Sequence, residues 1–188
     1  MKKENKRMST ETMVLGAVLT ALVIVLQYLS MAIRFGTFSI TLSLTPIVIG
    51  ALTCGMSMGA WLGLVFGVTV LLTGDAAPFW AVSAGGTFIT VIAKGIAAGF
   101  FPALVFKFLK KFNQTAASAV AAIISPIANT GVFLLGCVIF FIPTLIEWYG
   151  NVTAFLVTIF SFNFVIELVL NIVLTPVIIR LMNMKVKN

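Results

Sequence analysis

Histidine is absent from the 188 residues, and Asp and Glu together number only five. Without imidazole the chain lacks the commonest metal ligand and proton shuttle, and no close cysteine or carboxylate pair replaces it, so a metal site is not expected. Cys54 and Cys137 both stand inside apolar runs, where they read as small packing residues rather than a disulfide framework. No Ser-His or Ser-Lys pairing and no carboxylate dyad can be assembled, so the chain is not read as an enzyme and no cofactor is expected in it. A phosphate-binding glycine loop is also missing, and active transport would need a motor on another chain. Two buried charges of opposite sign do not make a pore-lining ring, which argues against a channel.

Charge of any kind is scarce. Charged residues make up 9% and apolar residues 61% of the chain, outside the range of soluble globular domains. Apolar runs longer than the ~20 residues needed to cross a bilayer recur along the whole length. The sequence therefore predicts an all-α integral membrane protein. The basic head Met1 to Arg7 precedes an apolar stretch, Thr12 to Ile33, that is too long for a signal core and lacks a small-residue cleavage site. A net charge of +7 invites a nucleic-acid reading, but the basic residues sit in short clusters beside apolar runs. Membrane topology explains them better, and no nucleic-acid partner is expected.

A single domain, residues 1–188, is expected to hold a bundle of six transmembrane helices at about 12–33, 42–53, 59–72, 87–106, 115–142 and 152–179. Phe38 to Leu72 is apolar for 35 residues, about 52 Å of helix against a ~30 Å hydrocarbon core, so it must turn once. Cys54 to Ser57 is the expected hinge. Six spans place the N-terminus, that hinge, Lys107 to Lys111 and the C-terminus on one side, with ten of the twelve basic residues. By the positive-inside rule both termini are expected to be cytoplasmic. With five spans, Lys107 to Lys111 would face the side opposite the N-terminal basic cluster.

Small residues mark close helix approach. Gly55, Gly59, Gly63 and Gly67 form a ladder at spacing four, Gly95 and Gly99 form a second pair, and Gly16, Ala17 and Ala21 form a patch in the first span. Thr73 to Gly86 reads as an outer loop displaying Phe79 and Trp80, which serve either as interfacial anchors or as ligand contacts. Glu147, Trp148 and Tyr149 read as a second outer loop.

Asn163, Glu167 and Asn171 recur every four residues in the last apolar run and so share one helical face. A charge in mid-membrane costs roughly 2.5–3.5 kcal/mol on the insertion scale, so this face must meet polar groups rather than lipid. Counting from Thr87 and Val152 at 1.5 Å per residue, Lys94 lies ~12 Å, Asn163 ~16 Å and Glu167 ~22 Å below the outer surface. With Asn129 they would form a polar pocket in the outer half of the bundle, roofed by the loops Arg34 to Thr41 and Thr73 to Gly86. Two readings stand at this point. Lys94 and Glu167 pair with each other and fix the helices, or Lys94 and the amides bind a polar solute between apolar walls.

The whole-chain plan, the run Ala17-Val-Leu-Thr-Ala21, and the run Leu44-Thr-Pro-Ile-Val-Ile-Gly-Ala51 leading to Gly55-Met-Ser-Met-Gly59-Ala-Trp-Leu-Gly63-Leu-Val-Phe-Gly67 together resemble the substrate-binding S components of bacterial energy-coupling factor (ECF) vitamin transporters. The resemblance implies a multi-pass protein of the bacterial plasma membrane that captures a water-soluble vitamin or precursor at its outer side. It implies docking on an ECF T subunit through Ala17 and Ala21, with ATP used by two ABC-type ATPase subunits, and reorientation of the whole S component in the lipid. Ser43-Leu-Thr-Pro46 lacks the acidic residues that riboflavin-type members carry before that proline. Lys94 suits an anion such as pantothenate or folate, which are favoured over riboflavin or cobalamin, although Glu167 would equally suit a neutral or cationic ligand. The other class of reading is a non-catalytic structural or assembly subunit of a membrane complex.

Overall fold

Long apolar runs with little polar interruption fold as helices almost throughout the computed structural model, which describes residues 9–32, 34–35, 38–39, 41–158 and 164–186. The order is α1 (Thr10–Ala32), β1 (Arg34–Phe35), β2 (Phe38–Ser39), α2 (Leu44–Cys54), α3 (Met56–Thr73), α4 (Ala77–Val82), α5 (Ala84–Leu109), α6 (Gln114–Phe140), α7 (Ile142–Tyr149), α8 (Val152–Thr158) and α9 (Val165–Val186). β1 and β2 form a minimal antiparallel ladder with Arg34 opposite Ser39 and Phe35 opposite Phe38. Among the described residues α1, α3, α5 and α6 are long and apolar enough to cross a membrane. α2 has 11 residues, about 16 Å of helix, and spans only half of a hydrocarbon core by itself.

A single residue separates α2 from α3. Gly55 takes φ +94°, a left-handed conformation that a side chain would strain, and this breaks the 35-residue apolar run inside the expected hinge. Gly55 is therefore the turn and not a rung of the glycine ladder. The other three rungs do pack: a Cβ on Gly59 would run into the Gly99 carbonyl oxygen, one on Gly63 into that of Gly95, and one on Gly67 would stand 3.0 Å from the Val91 carbonyl oxygen. α3 and α5 thus touch backbone to backbone over two turns. Gly63→Ala is expected to destabilise the purified protein by the ~1–3 kcal/mol typical of overpacking, read as a lower melting temperature, since the obstacle is main chain and cannot rotate away. An unchanged melting temperature would show that the two helices separate at little cost.

Three apolar clusters organise the interior. Leu19, Val23, Ile47, Leu62 and Phe66 join α1, α2 and α3, with Val91 and Ala98 from α5. Val48, Leu52, Ala103, Phe106, Ala121 and Ile178 join α2, α5, α6 and α9. Phe79, Cys137, Phe141, Leu145 and Phe155 join α4, α6, α7 and α8. Outside them α1 exposes Val14, Val18, Leu22, Val25 and Leu29, an apolar surface suited to lipid rather than water.

The connections are more helical than the sequence suggests. Pro78 in the first turn of α4 costs no hydrogen bond, and residues 77–82 form a helix in which Phe79 is only 6% exposed, so it is not the exposed loop aromatic expected. Trp80 is 46% exposed, as expected. Pro143 likewise opens α7, and Glu147, Trp148 and Tyr149 lie on that helix instead of in a loop. Ser83 and Asn113 cap α5 and α6, each accepting a backbone N–H three residues on, at 3.2 and 3.0 Å.

Candidate functional site

Along α6, Asn129 stands between Ala122 of the second cluster and Cys137 of the third, and the polar residues of the bundle gather at that level. Glu167 of α9 is 1% exposed. Its Oε1 accepts the Thr41 backbone N–H at 3.2 Å, and its Oε2 accepts the Asn129 amide Nδ2 at 3.4 Å. One turn on, the Asn171 Nδ2 donates to the Glu167 main-chain carbonyl at 2.9 Å, and Thr175 Oγ1 donates to that of Asn171 at 2.8 Å. The carboxylate is thus held by a side chain of α6 and by the chain that follows β2.

That following segment is stitched into the bundle by three bonds. The Thr41 N–H reaches Glu167, the Leu42 N–H reaches Ser30 Oγ at 3.1 Å, and the Ser43 hydroxyl donates to the Val23 carbonyl at 3.1 Å. Ser43 therefore spends its hydroxyl on α1 and gives α2 no side-chain cap. The connection after the first helix is anchored directly to the polar centre.

Lys94 follows from the glycine contact. Gly95 meets Gly63 main chain to main chain, which brings Phe66, three residues on in α3, beneath the neighbouring lysine. Lys94 Nζ lies 5.7 Å from the centroid of the Phe66 ring and 5.0 Å from that of Phe133. A cation over desolvated rings gains about 2 kcal/mol or more, but the rings supply no acceptor for its N–H donors. Among the described residues no ion pair joins Lys94 to Glu167, although the two are close enough to interact electrostatically, as are Lys94 and Asp75. The simple helix-fixing bridge between Lys94 and Glu167 is not formed.

One face of α6 connects these groups. Asn129 touches Glu167 and Phe133, four residues later on the same face, touches Lys94. Phe133 also meets Phe79 edge to face at 5.5 Å, and Phe79 meets Phe141 and Trp148 at 5.2 and 5.6 Å. An aromatic wall thus runs from Lys94 outward. Trp80 belongs elsewhere, lining a separate hollow of about 310 Å³ with Leu71, Gly74, Ala76, Ala77 and Ala81.

Of the residues singled out from the sequence, Lys94, Asn129, Glu167 and Phe79 come together, Trp80 does not, and Asn163 lies outside the described residues. Gln27 was not singled out. It is a lone amide in the apolar α1, fully buried, and its Nε2 donates to Asp75 Oδ2 at 3.5 Å. That isolation was the only signal the sequence offered. Phe66, Phe133 and Thr41 are also new, and nothing in the sequence sets the two phenylalanines apart from the other fifteen.

Ala17 and Ala21 face away from this centre. Both are exposed and line an open apolar groove of about 690 Å³ with Met13, Gly16, Thr20, Ile24, Met58 and Trp61.

Residues 11–179 match the model of a protein family described as ECF transporter, substrate-specific component. A curated relative is the pantothenic acid transporter PanT of Lactococcus lactis subsp. cremoris (strain MG1363), 27% identical over an alignment of 191 residues that covers 93% of this chain and 94% of the relative. No solved structure matches.

Proposed function

The chain belongs to the substrate-specific components of ECF transporters, a multi-pass transporter subunit of the bacterial plasma membrane and not an enzyme, and on that premise we propose that it captures pantothenate from outside the cell. The observation that carries the ligand is Lys94, a cation set among aromatic rings with no ion pair among the described residues. An anionic ligand would complete it. Pantothenate ends in a carboxylate, and the named activity of the relative points the same way. Phe66, Phe133 and Phe79 would flank the ligand, with Asn129 and Glu167 at its far side; Trp80 is left as an interfacial anchor.

Members of this family work with the partners of an ECF module. In our reading these are a T subunit docking on the groove at Ala17 and Ala21 and two ABC-type ATPases that hydrolyse ATP on the cytoplasmic side. The chain crosses six times with both termini cytoplasmic. α2, together with the segment that leads into it, and α3 make separate crossings around Gly55, and the concentration of basic residues sets the orientation.

Purified subunit without partners should be stabilised by pantothenate. Ligand at a hundred times its dissociation constant adds about 2.7 kcal/mol, equivalent to a rise of several degrees in melting temperature. Folate, riboflavin and cobalamin at the same concentration should give none. Absence of stabilisation by every compound, with the protein monodisperse, would return the chain to the structural-subunit class.

A further inference from the structure

The polar centre holds a surplus of acceptors. Asn129 and Asn171 are 4% and 1% exposed, and the Oδ1 of each has no hydrogen-bond partner among the described residues. Neither amide can be turned over to remove the deficit. Asn129 Nδ2 faces a carboxylate oxygen and Asn171 Nδ2 faces a main-chain carbonyl, so a flip would set oxygen against oxygen. Glu167 adds two acceptor oxygens, which among the described residues receive the Thr41 N–H and hydroxyl and the Asn129 amide. A carboxylate has room for about four such bonds.

Nearby donors are committed. Thr175 gives its hydroxyl hydrogen to the Asn171 main chain, and Thr41 gives its N–H to Glu167. Lys94 carries three N–H donors, but Phe133 beside it is one turn along α6 from Asn129, about 6 Å of helical rise. The centre therefore has two poles, with the ammonium donors at Lys94 and mainly acceptors at Asn129, Glu167 and Asn171.

We infer that the acceptor pole reads hydroxyl or amide N–H donors on the transported molecule, so that the ligand class is an acid carrying its anion at one end and hydrogen-bond donors at the other, with Asn171 a specificity-determining residue. The inference rests on the proposed capture of a carboxylate at Lys94. An acid of the same length with an apolar far end would bury Asn129 and Asn171 oxygens unpartnered, the situation that binding sites built for a donor discriminate against. Pantothenate, with two hydroxyls and an amide N–H opposite its carboxylate, meets the requirement.

The test compares pantothenate with the N-acyl-β-alanine of the same carbon skeleton that lacks both hydroxyls, using calorimetry on the purified full chain. Wild type should bind the deshydroxy compound about ten- to a hundredfold more weakly. In Asn171→Leu the ratio should shrink towards one, because the oxygen that needed a donor has gone. Equal affinity of wild type for the two compounds overturns the inference while leaving capture of the carboxylate intact. If wild type binds neither, the pantothenate reading fails, and the ligand-free protein still decides the acceptor pole. Asn171→Leu gives up the bond from Nδ2 to the Glu167 carbonyl but also removes a buried oxygen with no partner among the described residues, whose desolvation cost offsets that loss, so the variant should melt no lower than wild type. A clear drop would show that Asn171 is structural. Stabilisation by sodium chloride over choline chloride, with no discrimination between the two acids, would assign the pole to a cation and also overturn it.

Discussion

Cells carrying Ala21→Trp, or Ala17→Trp, are expected to take up none of the vitamin, while the purified subunit binds it with nearly unchanged affinity. Both alanines are exposed and open on the groove between α1 and α3. An indole there projects out of the bundle, so the fold and the polar centre on the other side of α1 are untouched. It would occupy the space in which small residues allow a partner helix to approach, and helix association in lipid depends on that close packing. Trp61 already borders the groove, with its Nε1 donating to Thr20 Oγ1 at 3.3 Å, which leaves little freedom for a second indole to fold aside. Uptake in cells and calorimetry on purified protein separate the two roles. Loss of affinity together with uptake would place these alanines inside the bundle's own packing and remove the groove as a partner face.

Features that depend on local backbone requirements were the most legible in the sequence. The hinge at Cys54 to Ser57 could be located because a 35-residue apolar run is too long for one crossing, although the ladder spacing disguised Gly55, the turn itself, as a packing rung. Gly59, Gly63, Gly95 and Gly99 were legible because missing side chains at helical spacing have few causes other than close approach. Glu167 and Lys94 stood out by the cost of placing charge in lipid. What the spacing could not supply was which phenylalanine of seventeen lies beside which polar group. Phe79 read as exposed because Pro78 and the glycines around it signal a loop, yet a proline in the first helical turn costs nothing, and three rings bury Phe79. Thr41 was visible only as the end of a roofing loop, because its contact with Glu167 joins residues 126 apart in the chain. Asn171 was visible as part of a stripe, but its unpartnered oxygen depends on where its amide nitrogen points, and that is a tertiary fact.

The sequence left Lys94 with two roles, and the geometry sharpens the experiment that divides them. Glu167 already has donors in Thr41 and Asn129, and Lys94 already has the rings of Phe66 and Phe133, so neither needs the other to remain folded. Lys94→Met keeps the length and removes the charge. Binding of pantothenate should weaken by the ~1.5–3 kcal/mol of a charge-assisted hydrogen bond, which is about tenfold to more than a hundredfold in dissociation constant. The ligand-free melting temperature should hold or rise, because a cation away from water is replaced by a thioether that packs well on aromatic rings. Were Lys94 needed only to neutralise Glu167, the single change would instead lower the melting temperature, and adding Glu167→Gln would restore both stability and affinity. Both singles and the double, measured for melting and for binding, therefore decide the role. Full recovery of affinity in the double mutant would refute direct contact between Lys94 and the ligand, whereas a loss in Lys94→Met that persists in the double leaves the ammonium as the anchor of the carboxylate.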